Sequence, residues 1–385
     1  MSNVFSGDRR GVLKGALALG VGGLPALGAM AQAGKPLKIG MIAPLTGVAA
    51  AFGTEYAEGA RAYVKAWNAR GGYKGQPVGL DLIDDESGSV GSLSAFKKLA
   101  TSPDISLIWL ASASSAILAV KPITDEYKVP VICGGIVDAI GVPPAPYLFK
   151  VAPGTAEFQK ALVLWAAKKG YKRIAMMYPT DGYGQAEIVT IKKLASDNGA
   201  EVVAAETFQN QDTNFSTQLT KLRASRPDLV YVAAAGAPGI LIYKQYRQLR
   251  LTSPIAMTQA TVSRTFFESI GGPANAKGLH MATNIGSLGG GGSDAASRLF
   301  GEMEKGLEKK GTLFTTFGWD HGILTEWAVN AVGTDRQALR DKLESAKDVP
   351  AINGPFTYST QNHIGQDYRG LTMAVHDGEK FVLAN

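Results

Sequence analysis

The stretch Asp104–Val137 reads DISLIWLASASSAILAVKPITDEYKVPVICGGIV, and its pattern decides the fold. An apolar run, Ile105–Leu110, ends in a Ser/Ala-rich turn at Ser112–Ser115. Ile117, Val120 and Ile123 then share one helical face, and Val129–Cys133 is a second apolar run leading into Gly134-Gly135. Strand, loop, helix and strand in this order make a βαβ unit with a buried parallel pair. Ligands of such sheets bind outside the carboxyl ends of the strands, and here both ends carry small residues that leave room for a guest. Ser114 and Ser115 stand where hydroxyls and helix N–H groups would face it. Capping a helix is the ordinary use of serine at such a position, and the remainder of the chain decides between the two readings.

The chain has 385 residues, enough for two ordinary domains, and its 45% hydrophobic and 19% charged fractions are those of a globular protein. Formal net charge is +6, with no basic run, RNP-like signature or zinc-finger spacing, so nucleic acid is not an expected partner. The single cysteine, Cys133, excludes an intrachain disulfide and reads as a small buried hydrophobe. His280, His321, His363 and His376 are far apart, with no pair at metal-ligand spacing, so neither metal nor cofactor is expected. Met1–Ala33 reads as an export leader: Arg9-Arg10, a mild Gly/Ala/Leu run to Met30, and a small-x-small end, Ala31-Gln32-Ala33. The twin arginines resemble the Tat signal, and no cysteine stands at the leader's end to carry a lipid. A soluble periplasmic protein is the expectation.

Downstream, apolar runs alternate with helical patterns twice over. Lys38–Ala43 is a strand followed by Pro44-Leu45-Thr46-Gly47, and a helix places Tyr56, Ala60, Tyr63, Val64 and Trp67 on one face, expected to be core. A strand over Val78–Leu82 ends in Asp84-Asp85-Glu86, expected to be a solvated strand end. Pro143, Pro144 and Pro146 punctuate a first crossover. Beyond it Thr155 is expected to cap a helix bearing Phe158, Leu162 and Trp165. Strands follow at Arg173–Tyr178, Glu201–Phe208, Leu229–Ala235, Pro254–Met257 and Leu279–Ala282. The loop GSLGGGGSD at 286–294 lacks the spacing of a phosphate cradle. The tail, with Met373–His376 and Phe381–Leu383, alternates like antiparallel strands. The fold class expected is α/β, with two doubly wound Rossmann-like lobes and a cleft between them.

Eight motifs stand in one order: PLTG at 44–47, G-x-x-Y-x-x-G at 53–59, NARGGYKGQPV at 68–78, the aspartates at 84–85, ASASS at 111–115, VPVI at 129–132, DGYG at 181–184 and HIG at 363–365. Together they resemble the periplasmic branched-chain amino-acid (leucine/isoleucine/valine) binding proteins of ABC transporters, over nearly all of Leu37–Asn385. The resemblance implies a type I Venus flytrap whose lobes are joined by three crossovers. One lobe would comprise residues 37–152 and about 283–352, the other 153–282 and about 353–385. It further implies a monomer that closes over a small ligand and docks on an ABC permease.

Carried over residue by residue, the family's pocket gives Phe52 over the ligand, Ser114 with Ser115 on its carboxylate, and Tyr183 from the second lobe. Where the family greets the ligand's amino group with a hydroxyl, this chain has Gly135 and Val137. Where it has an acidic partner for the ammonium, this chain has Gln259, and a second-lobe aromatic falls near Ala235. The carboxylate half of the pocket is kept and the ammonium half is lost. A buried ammonium without an anion costs on the order of several kcal/mol. The expected ligand is therefore a small carboxylate or amide, aromatic or aliphatic, without a free α-ammonium; a branched-chain amino acid is the alternative. An enzyme is not expected, since the chain has no G-x-S-x-G elbow, P-loop or dinucleotide fingerprint. A ligand-sensing subunit serving a separate receptor would use the same lobes.

Overall fold

The computed structural model describes residues 36–284, 288 and 294–384. The expected leader, Met1–Ala33, lies outside them, as do residues 286, 287 and 289–293 of the expected glycine-rich loop.

Pro36–Asn385 forms one compact unit built on two sheets. The first half supplies β1 (Lys38–Ala43), α1 (Ala50–Ala69), β2 (Gly79–Asp84), α2 (Ser89–Ala100), β3 (Ile105–Leu110), α3 (Ser114–Val120), α4 (Thr124–Tyr127), β4 (Val131–Cys133) and β5 (Leu148–Lys150). Their strands pair in the order β2-β1-β3-β4-β5, all parallel. β1 and β3 are the centre, which is why Ile105–Leu110 is apolar throughout and buried at every position.

The second half supplies α5 (Thr155–Lys168), β6 (Arg173–Pro179), α6 (Gly182–Asp197), β7 (Glu201–Phe208), α7 (Ser216–Ala224), β8 (Leu229–Val232), α8 (Ala237–Gln248), β9 (Ile255–Met257), α9 (Arg264–Ser269) and β10 (Leu279–Asn284). Three helices follow, α10 (Asp294–Gly306), α11 (Leu313–Val332) and α12 (Arg336–Glu344), and then β11 (Leu371–His376) and β12 (Phe381–Leu383). The second sheet runs β12-β11-β10-β9-β8-β6-β7; β7 to β10 are parallel, and β11 and β12 join antiparallel. Each sheet thus contains the doubly wound order 2-1-3-4-5, with its switch point beside the first strand of its own run.

The chain passes between the sheets more than once. α11 returns to lie on α1, and the two helices touch backbone to backbone. A Cβ on Gly59 would come within 2.1 Å of the Thr315 carbonyl oxygen, and one on Gly318 within 2.1 Å of that of Tyr56. Trp109 Nε1 donates to Thr325 Oγ1 at 2.9 Å, fastening α11 to β3. At the passages, Asn284 donates to the Asn353 carbonyl, Tyr358 donates to the Lys150 carbonyl, and Asp320 accepts from the backbone of Ile352 and Asn353. The connecting segments are therefore tied to one another.

Two local expectations differ. Gly154, not Thr155, is the N-cap of α5; Thr155 is the first helical residue and its hydroxyl donates to the Ile136 carbonyl at 3.3 Å. The acidic strand end is not simply solvated. Asp85 is buried and accepts from Ser92 Oγ at 2.6 Å and Ser87 N at 2.9 Å. Asp84 accepts from Leu45 N, Thr46 N and Thr46 Oγ1. Asp84 braces the loop after β1 and Asp85 the turn from β2 into α2, roles that strand periodicity does not reveal.

Candidate functional site

A cavity lies between the two sheets, at the carboxyl ends of their parallel strands. Its empty volume is about 870 Å³ with the part open to solvent included. Each strand end contributes a short segment. After β1, the loop held by Asp84 and Ser87 presents Val48, Ala49 and Phe52; Ser87 Oγ donates to the Thr46 carbonyl and accepts from Ala49 N. After β3 come Ser112, Ser114 and Ser115, and after β4 come Gly134, Gly135 and Ile136. The second sheet adds Asp181 and Tyr183 after β6, Ala235 after β8, and Gln259 and Ala260 after β9.

Seven of the eight residues expected from the sequence line this one cavity: Phe52, Ser114, Ser115, Gly135, Tyr183, Ala235 and Gln259. The eighth, Val137, does not. The chain leaves β4 at Cys133 in an irregular path, so strand alternation no longer sets which side chain faces the cleft. Ile136 takes the lining position and Val137 packs into the hydrophobic core.

Tyr56 lies in the core as expected and also faces the cavity. It shares the core face of α1, yet it lines the cavity together with Phe314 and Phe317 of α11. Its ring stacks on Phe317 at 6.0 Å, while Phe52 and Phe314 lie 5.4 Å apart, giving one aromatic wall. Gly134 makes room for it: a Cβ there would sit 2.0 Å from the Tyr56 hydroxyl. Phe314 and Phe317 were not among the expected residues. Helical spacing marks them as buried but does not distinguish a cavity wall from a core.

The polar groups facing this space are mostly donors. Ser114 Oγ accepts from Ile136 N at 3.2 Å, which leaves its own proton to give. The Tyr56 hydroxyl and Gln259 Nε2 are buried with no hydrogen-bond partner among the described residues. Burial holds the Tyr56 phenol well above its ordinary pKa, so it is a neutral donor. The Tyr183 hydroxyl is likewise buried and neutral, its pKa raised by burial. The one charged lining residue is Asp181. It caps α6 by accepting from Gly184 N at 3.0 Å, and its other oxygen accepts from Asn210 Nδ2 at 3.0 Å. Neutral donors over an aromatic floor suit an acceptor-bearing apolar molecule; the donor set contains no cation.

Nothing here is arranged for covalent chemistry. Cys133, the last residue of β4, is buried, its thiol pushed up to about 12 by burial. Among the described residues no group of three or more His, Cys, Asp or Glu is placed to hold a metal ion, and no helix is long and apolar enough to cross a membrane.

The family model described as periplasmic binding protein matches residues 36–378. The Leu/Ile/Val-binding protein BraC3 of Rhizobium johnstonii is 24% identical over 341 residues, covering 84% of this chain and 87% of that protein. Among solved structures, an extracellular ligand-binding receptor from Rhodopseudomonas palustris superposes with a TM-score of 0.82 at 24% identity, covering 91% of this chain and 99% of that one. The substrate-binding protein LivJ from Streptococcus pneumoniae, solved in complex with isoleucine, gives 0.80 at 20% identity, covering 91% and 100%.

Proposed function

The chain belongs to the periplasmic binding protein family, and on that premise we propose that its cavity takes a small carboxylate or amide, aromatic or aliphatic, without an α-ammonium. The family is non-enzymatic, and the protein is a solute-binding component of the kind that serves ABC transporters. On our reading it is exported by its leader, closes over the ligand in the periplasm and presents it to a membrane permease.

One observation carries the choice of ligand. Ser114 and Tyr56 offer protons to the cavity, while the Asp181 carboxylate is engaged by Gly184 N and Asn210 Nδ2. A ligand carboxylate or amide oxygen satisfies such donors, whereas an ammonium needs an acceptor. Asp181 favours a second reading, an amino acid whose ammonium lies against its charge, and relatives of this chain are named for leucine, isoleucine and valine. Asp181→Asn separates the two, since it weakens amino-acid binding and leaves the binding of simple acids in place.

Thermal unfolding of the chain from Gly34 onward, against amino acids, aromatic and aliphatic acids and amides, tests the proposal. A ligand at about 100 times its dissociation constant adds roughly 2.7 kcal/mol, a visible rise in midpoint. Acids or amides are expected to give that rise, and Ser114→Ala to weaken their binding by roughly 1–3 kcal/mol. A rise with amino acids alone, or Ser114→Ala with undiminished affinity, would overturn this reading.

A further inference from the structure

A second cavity lies between α9, β10–β12 and the start of α11, with an empty volume of about 1630 Å³ including its open part. Val262, Phe267, Met281, Leu313 and Phe381 give it a largely apolar wall. Arg264 also lines it. Its Nε donates to the Lys310 carbonyl and its Nη1 to Glu58, while Nη2 is buried without a partner among the described residues. One residue lines both this cavity and the ligand cavity: Gln259.

We propose that the Gln259 side chain is a partition that sets the length of ligand the protein accepts, by closing the ligand cavity against the second chamber. This rests on the ligand class proposed above and adds its size limit. Gln259 is suited to the role because its backbone carbonyl accepts from Val262 N at 3.1 Å while its Nε2 has no partner among the described residues. Thr258 Oγ1 and Thr261 Oγ1 both donate to the Ala234 carbonyl, Thr261 N donates to the Thr258 carbonyl, and Gly236 N donates to that of Ala260. The amide Nε2 holds nothing within the turn. Removing the side chain therefore leaves the turn standing and joins the two spaces. A ligand with its carboxylate at Ser114 and Ser115 on the first sheet points its apolar body toward the second, where Gln259 stops it. Beyond that point lie an apolar chamber and an unpartnered guanidinium nitrogen.

Titration calorimetry with straight-chain carboxylates from butanoate to decanoate tests this in the wild type, Gln259→Ala and Gln259→Leu. In the wild type, affinity should rise with length and then fall sharply once the chain meets Gln259. In Gln259→Ala the fall should move to longer acids, each further methylene buried improving the dissociation constant about fourfold. Gln259→Leu, similar in bulk, should keep the wild-type limit. Gln259→Ser repeats the truncation with a polar residue should the alanine variant fail to fold. A wild-type limit retained in the truncated variants, or lost in Gln259→Leu, would overturn the partition while leaving the ligand class intact. A wild type that binds none of these acids nor any aromatic acid or amide would instead refute the ligand class.

Discussion

Ser114 shows how little a side chain needs in order to define one end of a pocket. Its oxygen is committed to Ile136 N, so its proton is directed to whatever stands in the cleft. Its place at the cavity was legible in the sequence, because the Ser pair directly follows a buried parallel strand, although serine there ordinarily caps a helix. Tyr56 was not legible, because one helical stripe serves both a core and a cavity wall, and nothing in its spacing shows that Gly134 opens a space beside it. Glu187 is a further residue hidden from pattern. It is buried, receives hydrogen bonds from Tyr231 Oη at 2.7 Å and Gln159 Nε2 at 2.6 Å, and is pushed from 4.5 to about 7 chiefly by burial, against those donors and with a small push from Asp138. Its folded-state pKa is raised, so its contribution to stability is fully present below about 4.5 and is lost as pH rises to about 7. Asp320, raised to about 7 by burial, acts in the same window. Stability measured by denaturant unfolding should thus fall between these pH values, with a shallower fall in Glu187→Gln; an unchanged slope in that variant would show that Glu187 does not titrate there.

At the scale of elements, strands and helices were readable from their periods, since buried parallel strands are short apolar runs and surface helices carry one apolar stripe. What period cannot encode is which distant element completes a wall. Phe314 and Phe317 reach the cavity only because α11 lies directly on α1 through Gly59 and Gly318. The same holds where the two sheets' loops meet. Ala237 N at the start of α8 donates to the Val48 carbonyl at 3.2 Å, and Gly236 beside it has φ +61°, with room for no Cβ: one would lie 2.2 Å from that oxygen. The backbone strain exists in any arrangement of the lobes, but the clash exists only when Val48 and Gly236 meet. Gly236→Ala should therefore oppose closure, and a clash of about 1.4 kcal/mol would weaken ligand binding about tenfold, read by calorimetry. Undiminished affinity would mean that the lip does not need to meet for the ligand to be held.

For the whole molecule, hydrogen bonds among the described residues join the two sides of the cleft at two places. One is the Val48–Ala237 backbone bond. The other is Arg264 of α9, whose N–H and guanidinium donate to Glu55 and Glu58 of α1. A ligand that touches both sheets favours this arrangement by its differential affinity for it, so the chemistry of the cavity decides which solutes produce the closed form. The doubly wound sheets were legible because strand and helix patterns alternate along most of the chain, and the switch points place the cleft at the strand ends. For the ligand the sequence carries only the missing hydroxyl and acid at Val137 and Gln259, and it did not single out Asp181 as a lining residue. The most direct measurement is calorimetric titration with isocaproate and with leucine, which share a carboxylate and a branched apolar body and differ in the α-ammonium. Isocaproate is expected to bind, and leucine at least about a hundredfold more weakly, since the cavity's one carboxylate, Asp181, is engaged by Gly184 N and Asn210 Nδ2. Leucine binding as tightly as isocaproate, or more tightly, would contradict a pocket built for acids and would return Asp181 to the centre of the site.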